Sequence, residues 1–146
     1  MIALVVDASV VIKWFLPEVD SEQAEVVQDA RLFAPDLLVA EITNALWRRV
    51  TKGDLLDGEA KSALVELAAT DIELSPTSEY ALHALDLSLL LNHPAYDCFY
   101  LALAEQLDIR LVTADTRLIN KLASRPTLAT LIWTLPQAAA AIAADT

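Results

Sequence analysis

A chain of 146 residues is the usual size of one compact domain and can bury a core without disulfides or a structural metal. Its 55% apolar fraction would suit a membrane protein, but no stretch approaches the ~18 uncharged apolar residues of a span, so a soluble domain is expected. The net charge of −11 and pI near 4.4 exclude broad, passive binding to polyanions, which are held by clustered Lys and Arg.

Any contact with nucleic acid must therefore be local. Either divalent cations neutralise acids where a phosphate sits, or a small basic rim such as Arg48, Arg49 and Lys52 does so; taken alone, those three read more simply as solvated surface charge. The single cysteine, Cys98, has no partner for a disulfide or a thiolate cage and reads as a small buried apolar residue. Residues 1–7 lack a basic region and reach an acid early, unlike a secretory signal, so a cytoplasmic location is expected. With two glycines and no repeat, residues 1–146 read as a single domain, with about 136–146 a terminal helix and tail.

In chain order, residues 2–6 form a continuous apolar, β-branched run stopped by Asp7, the pattern of a strand buried on both faces. Helical patterns follow over about 9–16, up to Pro17, and over about 19–31. Pro35 then opens a helix to about Lys52, closed by Gly53 as a left-handed cap. A helix over 57–69 leads to a short strand at 72–74. Thr77 caps a helix to about Leu91, and Pro94 starts another ending near Leu107. Strands at 110–113 and 131–134 flank a helix over 115–124, and residues 136–144 are helical. Short buried strands alternating with helices predict an α/β fold with a mostly parallel sheet, since parallel neighbours need crossovers.

Ligands of such sheets bind beyond the carboxyl ends of the strands. That rule singles out Asp7, directly after the first strand, and Asp115, just past the strand ending at Thr113. Either acid also fits a plain turn or helix cap. Asp97 begins a segment, residues 98–104, that is apolar around nearly its whole circumference and reads as a buried helix, so its carboxylate lies near the core. A structural role as a first-turn acid favoured by the helix end is the alternative. Glu41 shares a helix face with Asn44 and Arg48, opposite Ile42, Leu46 and Val50, and by itself fits a solvated face. If the four acids converge, they raise one another's pKa unless a cation sits among them. Hard oxygen donors without His or Cys suit Mg2+ or Mn2+, ions that polarise phosphoryl oxygens and activate water.

The ordered carriers are Val5-Val6-Asp7-Ala8-Ser9, Glu41-Ile42-Thr43-Asn44-Ala45-Leu46, Tyr96-Asp97 through Tyr100-Leu101-Ala102-Leu103-Ala104, and Thr113-Ala114-Asp115. On these motifs the chain resembles PIN-domain ribonucleases, in particular VapC-type toxins of toxin–antitoxin pairs, over essentially its whole length. The resemblance implies a PIN-like five-stranded, mostly parallel sheet flanked by helices, with the acids at its carboxyl edge around one or two Mg2+ ions. It implies Asp7 and Asp97 as principal metal ligands, Glu41 and Asp115 completing the pocket partly through water, and Ser9 and Thr113 supporting the site or capping turns. It further implies hydrolysis of RNA by metal-activated water, a homodimer and a separate antitoxin protein, for which the acidic charge suits a basic segment. Trp14, Phe15 and Trp47 fit either such contacts or the core, and His93 reads as structural.

Two other readings stay open. A phosphoacceptor domain also places acids at strand ends but needs a lysine after a late strand, where this chain has Leu135-Pro136. A non-cleaving PIN-like module that binds RNA or protein would not need all four acids.

Overall fold

The first strand, β1 (Ala3–Val6), is the expected apolar run, and Leu4, Val5 and Val6 are at most 1% exposed. Successive side chains on a strand point to opposite faces, so both faces here are covered, the environment of a central parallel strand. Its neighbours are β2 (Arg31–Pro35) and β4 (Arg110–Thr113); β3 (Glu73–Ser75) lies beyond β2 and β5 (Ile132–Thr134) beyond β4. The sheet order in the computed structural model, which describes residues 1–146, is β3-β2-β1-β4-β5 with every pair parallel.

The helices are α1 (Ala8–Val11), continued by a 3-10 turn over Ile12–Trp14, then α2 (Ser21–Val27), α3 (Leu37–Thr51) and α4 (Asp57–Ala68). After β3 come a 3-10 turn at Thr77–Tyr80, α5 (Ala81–Leu91) and α6 (Ala95–Leu107). Next are α7 (Thr116–Leu122), α8 (Pro126–Ala129) and α9 (Leu135–Ala144). No helix is long and apolar enough to cross a membrane.

The fold is thus the parallel α/β sheet flanked by helices that the sequence predicts, with a fifth strand that periodicity does not reveal. Residues 31–35 form β2, so Pro35 ends a strand rather than opening the next helix. Its missing N–H is harmless at the strand's last position, where the ladder bond passes from Asp36 N–H to the Ser75 carbonyl at 2.8 Å. The predicted end of α3 holds. Gly53 takes φ +82°, and the Gly53 and Asp54 N–H groups donate to the Val50 and Arg49 carbonyls at 3.0 and 2.9 Å, closing the helix as a Schellman motif.

α6 is the central helix. Tyr100, Leu101, Ala102, Leu103 and Ala104, five residues in a row, are at most 1% exposed, so the helix is covered all round. It packs against β1, β2 and β4 on one side and α5 on the other. Cys98 lies in the same core, fully buried, its thiol pushed up to about 11 by burial and by the nearby Asp97.

From β1 the chain moves outward through β2 and β3, then returns to place β4 and β5 on the opposite side of β1. Right-handed crossovers running in opposite directions leave a crevice at the carboxyl ends of β1 and β4. That crevice is where the acids belong.

Candidate active site

Asp7 leaves β1 and caps α1. Its Oδ1 accepts from the backbone N–H of Ser9 and Val10 at 3.1 and 3.3 Å and from the Ser9 hydroxyl at 2.5 Å. Ser9 Oγ also accepts from the Ala114 N–H at 2.9 Å and meets Thr113 Oγ1 at 3.4 Å, while Thr113 Oγ1 accepts from the Asp115 N–H at 3.0 Å. Two small hydroxyls therefore fasten the end of β1 to the end of β4. Asp115 caps α7, its Oδ1 accepting from the Arg117 N–H at 2.9 Å. The capping role and a role in the crevice are compatible for both aspartates.

The other two acids arrive on helices. Asp97, in the first turn of α6, accepts on Oδ2 from His93 Nε2 at 2.6 Å. Glu41, on α3, accepts on Oε1 from the Tyr100 hydroxyl at 2.5 Å. Asp7, Glu41, Asp97 and Asp115, together with Ser9, line one cavity of about 690 Å³. Thr113 lies behind it, fully buried.

In all four carboxylates the protein holds one oxygen and leaves the other without a donor. Asp7 is held at Oδ1, Glu41 at Oε1, Asp97 at Oδ2 and Asp115 at Oδ1. Buried polar atoms without a partner would show if these free oxygens were sealed in, yet the only such atom in the chain is Gln23 Oε1. The free oxygens are therefore not sealed in, and all four residues line the cavity. Donors that orient one oxygen while the other stays open are the usual support of ligating carboxylates.

The electrostatics are those of a site short of positive charge. Burial pushes Asp7 up to about 7, against three hydrogen bonds that favour its ionised form, and Asp97 adds to the rise. Burial likewise raises Glu41 and Asp97, with Asp97 acting on the first and Asp115 on the second. Tyr100 is raised by burial and by Glu41, so it stays a donor. A cup dominated by carboxylate oxygens fits a hard divalent cation, which would return the acids to their ionised forms. The tightest group of potential ligands is His93, Asp97 and Asp115, with one atom of each within 4.8 Å of the others; Asp7 and Glu41 stand outside it.

His93 and Tyr100 are the residues that sequence reasoning undervalued. His93 is 8% exposed and held at both backbone groups by Ser88, its N–H donating to the Ser88 carbonyl at 3.2 Å and its carbonyl accepting from Ser88 Oγ at 2.6 Å. The available signal was its place four residues before Asp97. For Tyr100 it was the phenol in an otherwise apolar helix, since a buried hydroxyl needs a partner. Of the three aromatics set aside, Trp14 and Phe15 pack against the core, Trp14 donating to the Ala24 carbonyl at 2.8 Å, whereas Trp47 is 61% exposed.

The sequence pattern of the PIN domain family matches residues 4–123. Ribonuclease VapC3 of Pyrobaculum aerophilum is 37% identical over 122 residues, 81% of this chain and 93% of that protein. Ribonuclease VapC9 of Mycobacterium tuberculosis is 32% identical over 115 residues, 79% of this chain and 87% of that one. In fold, the crystal structure of PAE2754 from Pyrobaculum aerophilum is similar with a TM-score of 0.70, covering 98% of this chain and 96% of that one at 21% identity.

Proposed function

The chain belongs to the PIN domain family, in its VapC branch, and from that premise we propose that it is a divalent-metal-dependent endoribonuclease acting as the toxin of a toxin–antitoxin pair. The observation that carries the reading is the set of four carboxylates that line one cavity, each hydrogen-bonded by the protein through one oxygen.

In this reading Asp7, Asp97 and Asp115 hold Mg2+ or Mn2+ through their open oxygens, and Glu41 completes the cup. The bound cation supplies neutralisation of the phosphate and a lowered pKa for water. The protein supplies positioning. Ser9 and Thr113 fix Asp7, His93 fixes Asp97 and Tyr100 fixes Glu41. Glu41 Oε2, without a protein donor and on a carboxyl whose pKa is raised, would take the proton from the water that attacks phosphorus, while the bond from phosphorus to the leaving ribose oxygen breaks and that oxygen takes a proton from solvent. Without a cation the site repels RNA, because like charges about 4 Å apart repel by roughly 4 kcal/mol at an effective dielectric of 20. Residues 1–146 act as a single nuclease domain, in the cytoplasm and as a homodimer, restrained by a separate antitoxin whose basic segment suits the acidic surface.

The test is cleavage of a structured RNA by the purified protein. Mg2+ should support cleavage, EDTA should stop it, and Asp7→Asn or Asp97→Asn should lower the rate at least about 100-fold, the scale of lost charge stabilisation at a reacting phosphate. Undiminished cleavage by both variants would remove the site, and a folded parent protein that binds RNA without cutting it would make the chain a binding module.

A further inference from the structure

The cavity that holds the acids continues along α3 beyond Glu41. Asn44, Arg48 and Lys52 line it together with Glu41, and at 100° per residue these four positions fall within about 80° of arc on one helix face. A rise of 1.5 Å per residue places Arg48 about 10 Å and Lys52 about 16 Å beyond Glu41 along the axis. One helix therefore presents an acid at the reacting end of the groove and cations further along it.

The cations differ in what they are free to do. Arg49 also lines the cavity, but its guanidinium is paired with Glu18, which in turn bonds Lys13 Nζ at 2.9 Å; those three tie the loop after α1 to α3. Arg48 and Lys52 have no carboxylate within ion-pair distance and are both exposed. In a protein of net charge −11, they are the unneutralised positive groups that share the cavity of the acids. Beside Asp97, in the first turn of α6, Tyr96 lines the same cavity and is 63% exposed, an aromatic face that the core does not use.

Resting on the nuclease reading above, we propose that this groove binds an extended single strand of RNA laid along α3, with phosphates flanking the scissile one held by Arg48 and Lys52 and a neighbouring base stacked on Tyr96. Phosphate contacts to flexible cations and base contacts to an aromatic platform are how proteins hold single strands without reading their sequence. A duplex offers Tyr96 nothing, because its bases are already stacked on one another.

The experiment measures binding with cleavage switched off. All proteins carry Glu41→Gln, which removes the proton acceptor but keeps the three metal-holding aspartates, and a labelled oligoribonucleotide of about 12 nucleotides is titrated by fluorescence anisotropy in Mg2+ over a range of salt. The slope of log affinity against log salt should fall by about 0.7 for Arg48→Gln or Lys52→Gln and about 1.4 for the pair, the value of one and two released phosphate contacts on a single strand. Lys61→Gln, on α4 outside the cavity, should keep the parent slope. Tyr96→Ala should weaken binding about 5- to 100-fold without changing the slope, and that loss should vanish on an abasic oligonucleotide. A double variant with the parent slope overturns the cationic path, a Tyr96→Ala protein with parental affinity overturns the platform, and equal affinity for a duplex overturns the single strand. These failures leave the nuclease reading standing if Mg2+-dependent cleavage is lost in Asp97→Asn; absence of cleavage by the parent protein sinks that reading instead.

Discussion

Asp7 is a carboxylate held almost out of solvent, 5% exposed, with three donors on one oxygen and the charge of Asp97 acting on it. Its folded pKa of about 7 stands above the ordinary 3.8. Between those values the folded, metal-free protein binds a proton that the unfolded chain has released, so stability is greatest below the ordinary value and is lost as pH rises to about 7. Glu41 and Asp97 are raised in the same direction. Metal-free protein should therefore melt at a lower temperature at pH 8 than at pH 5, and Mg2+ should raise the melting temperature more at pH 8, by scanning calorimetry in chelexed buffer. A melting temperature independent of both pH and Mg2+ would show that the acids do not share a site.

Around Asp97 the same logic concerns position. His93 Nε2 holds Oδ2 at 2.6 Å and sets which oxygen is left open. Removing such a support typically weakens metal binding 10- to 100-fold. Calorimetric titration with Mn2+ should show about that loss for His93→Ala, with partial recovery in His93→Gln, whose amide can donate from a similar position. Asp7, Asp97 and Asp115 stand out in the sequence because strand ends and a buried helix start single out charges that ordinary packing does not want, whereas Glu41, inside α3, by itself fits a solvated face and joins them only through the other acids and the resemblance. Their partners do not stand out, because a hydrogen bond between α3 and α6 joins residues 59 apart and no local pattern reports it.

Among the elements, legibility followed how strongly one environment acts on one segment. β1 is read directly because burial on both faces demands an unbroken apolar run, and β4 from the buried Leu111-Val112 pair between Arg110 and Thr113. β2 is hidden. Arg31 is solvent-exposed and stacks over Phe33 at 4.9 Å, and Pro35 mimics a helix opening, so neighbouring helical signals absorb the segment until β1 and β3 pair with it. α6 is the element on which the rest leans, since it joins the sheet to α5 and carries both Asp97 and Tyr100. Leu101 on this helix is fully buried. Leu101→Ala should destabilise the protein by about 2–5 kcal/mol, the range for a buried leucine whose cavity only partly collapses, measured by denaturant unfolding. A change under about 1 kcal/mol would mean that α6 packs more loosely than its burial indicates.

At the scale of the molecule, the site exists because the sheet changes direction at β1. The order β3-β2-β1-β4-β5 places the strand formed first in the chain beside one formed about a hundred residues later, and the Ser9 to Thr113 and Ala114 contacts join them at their ends. Composition alone gave the size, the acidic balance and the need for local neutralisation of an anionic ligand. It could not indicate strand order, which depends on which crossovers pack together.

That order also governs when the four acids can first meet. A ribosome that has released only the first ninety residues has exposed Asp7 and Glu41 but neither Asp97 nor Asp115, and β1 still lacks the neighbour that closes the crevice. The crevice takes shape only when β4 pairs with β1 and α6 brings in Asp97. Synthesis itself thus imposes an order on assembly, with the acids of the early chain waiting for those of the late one.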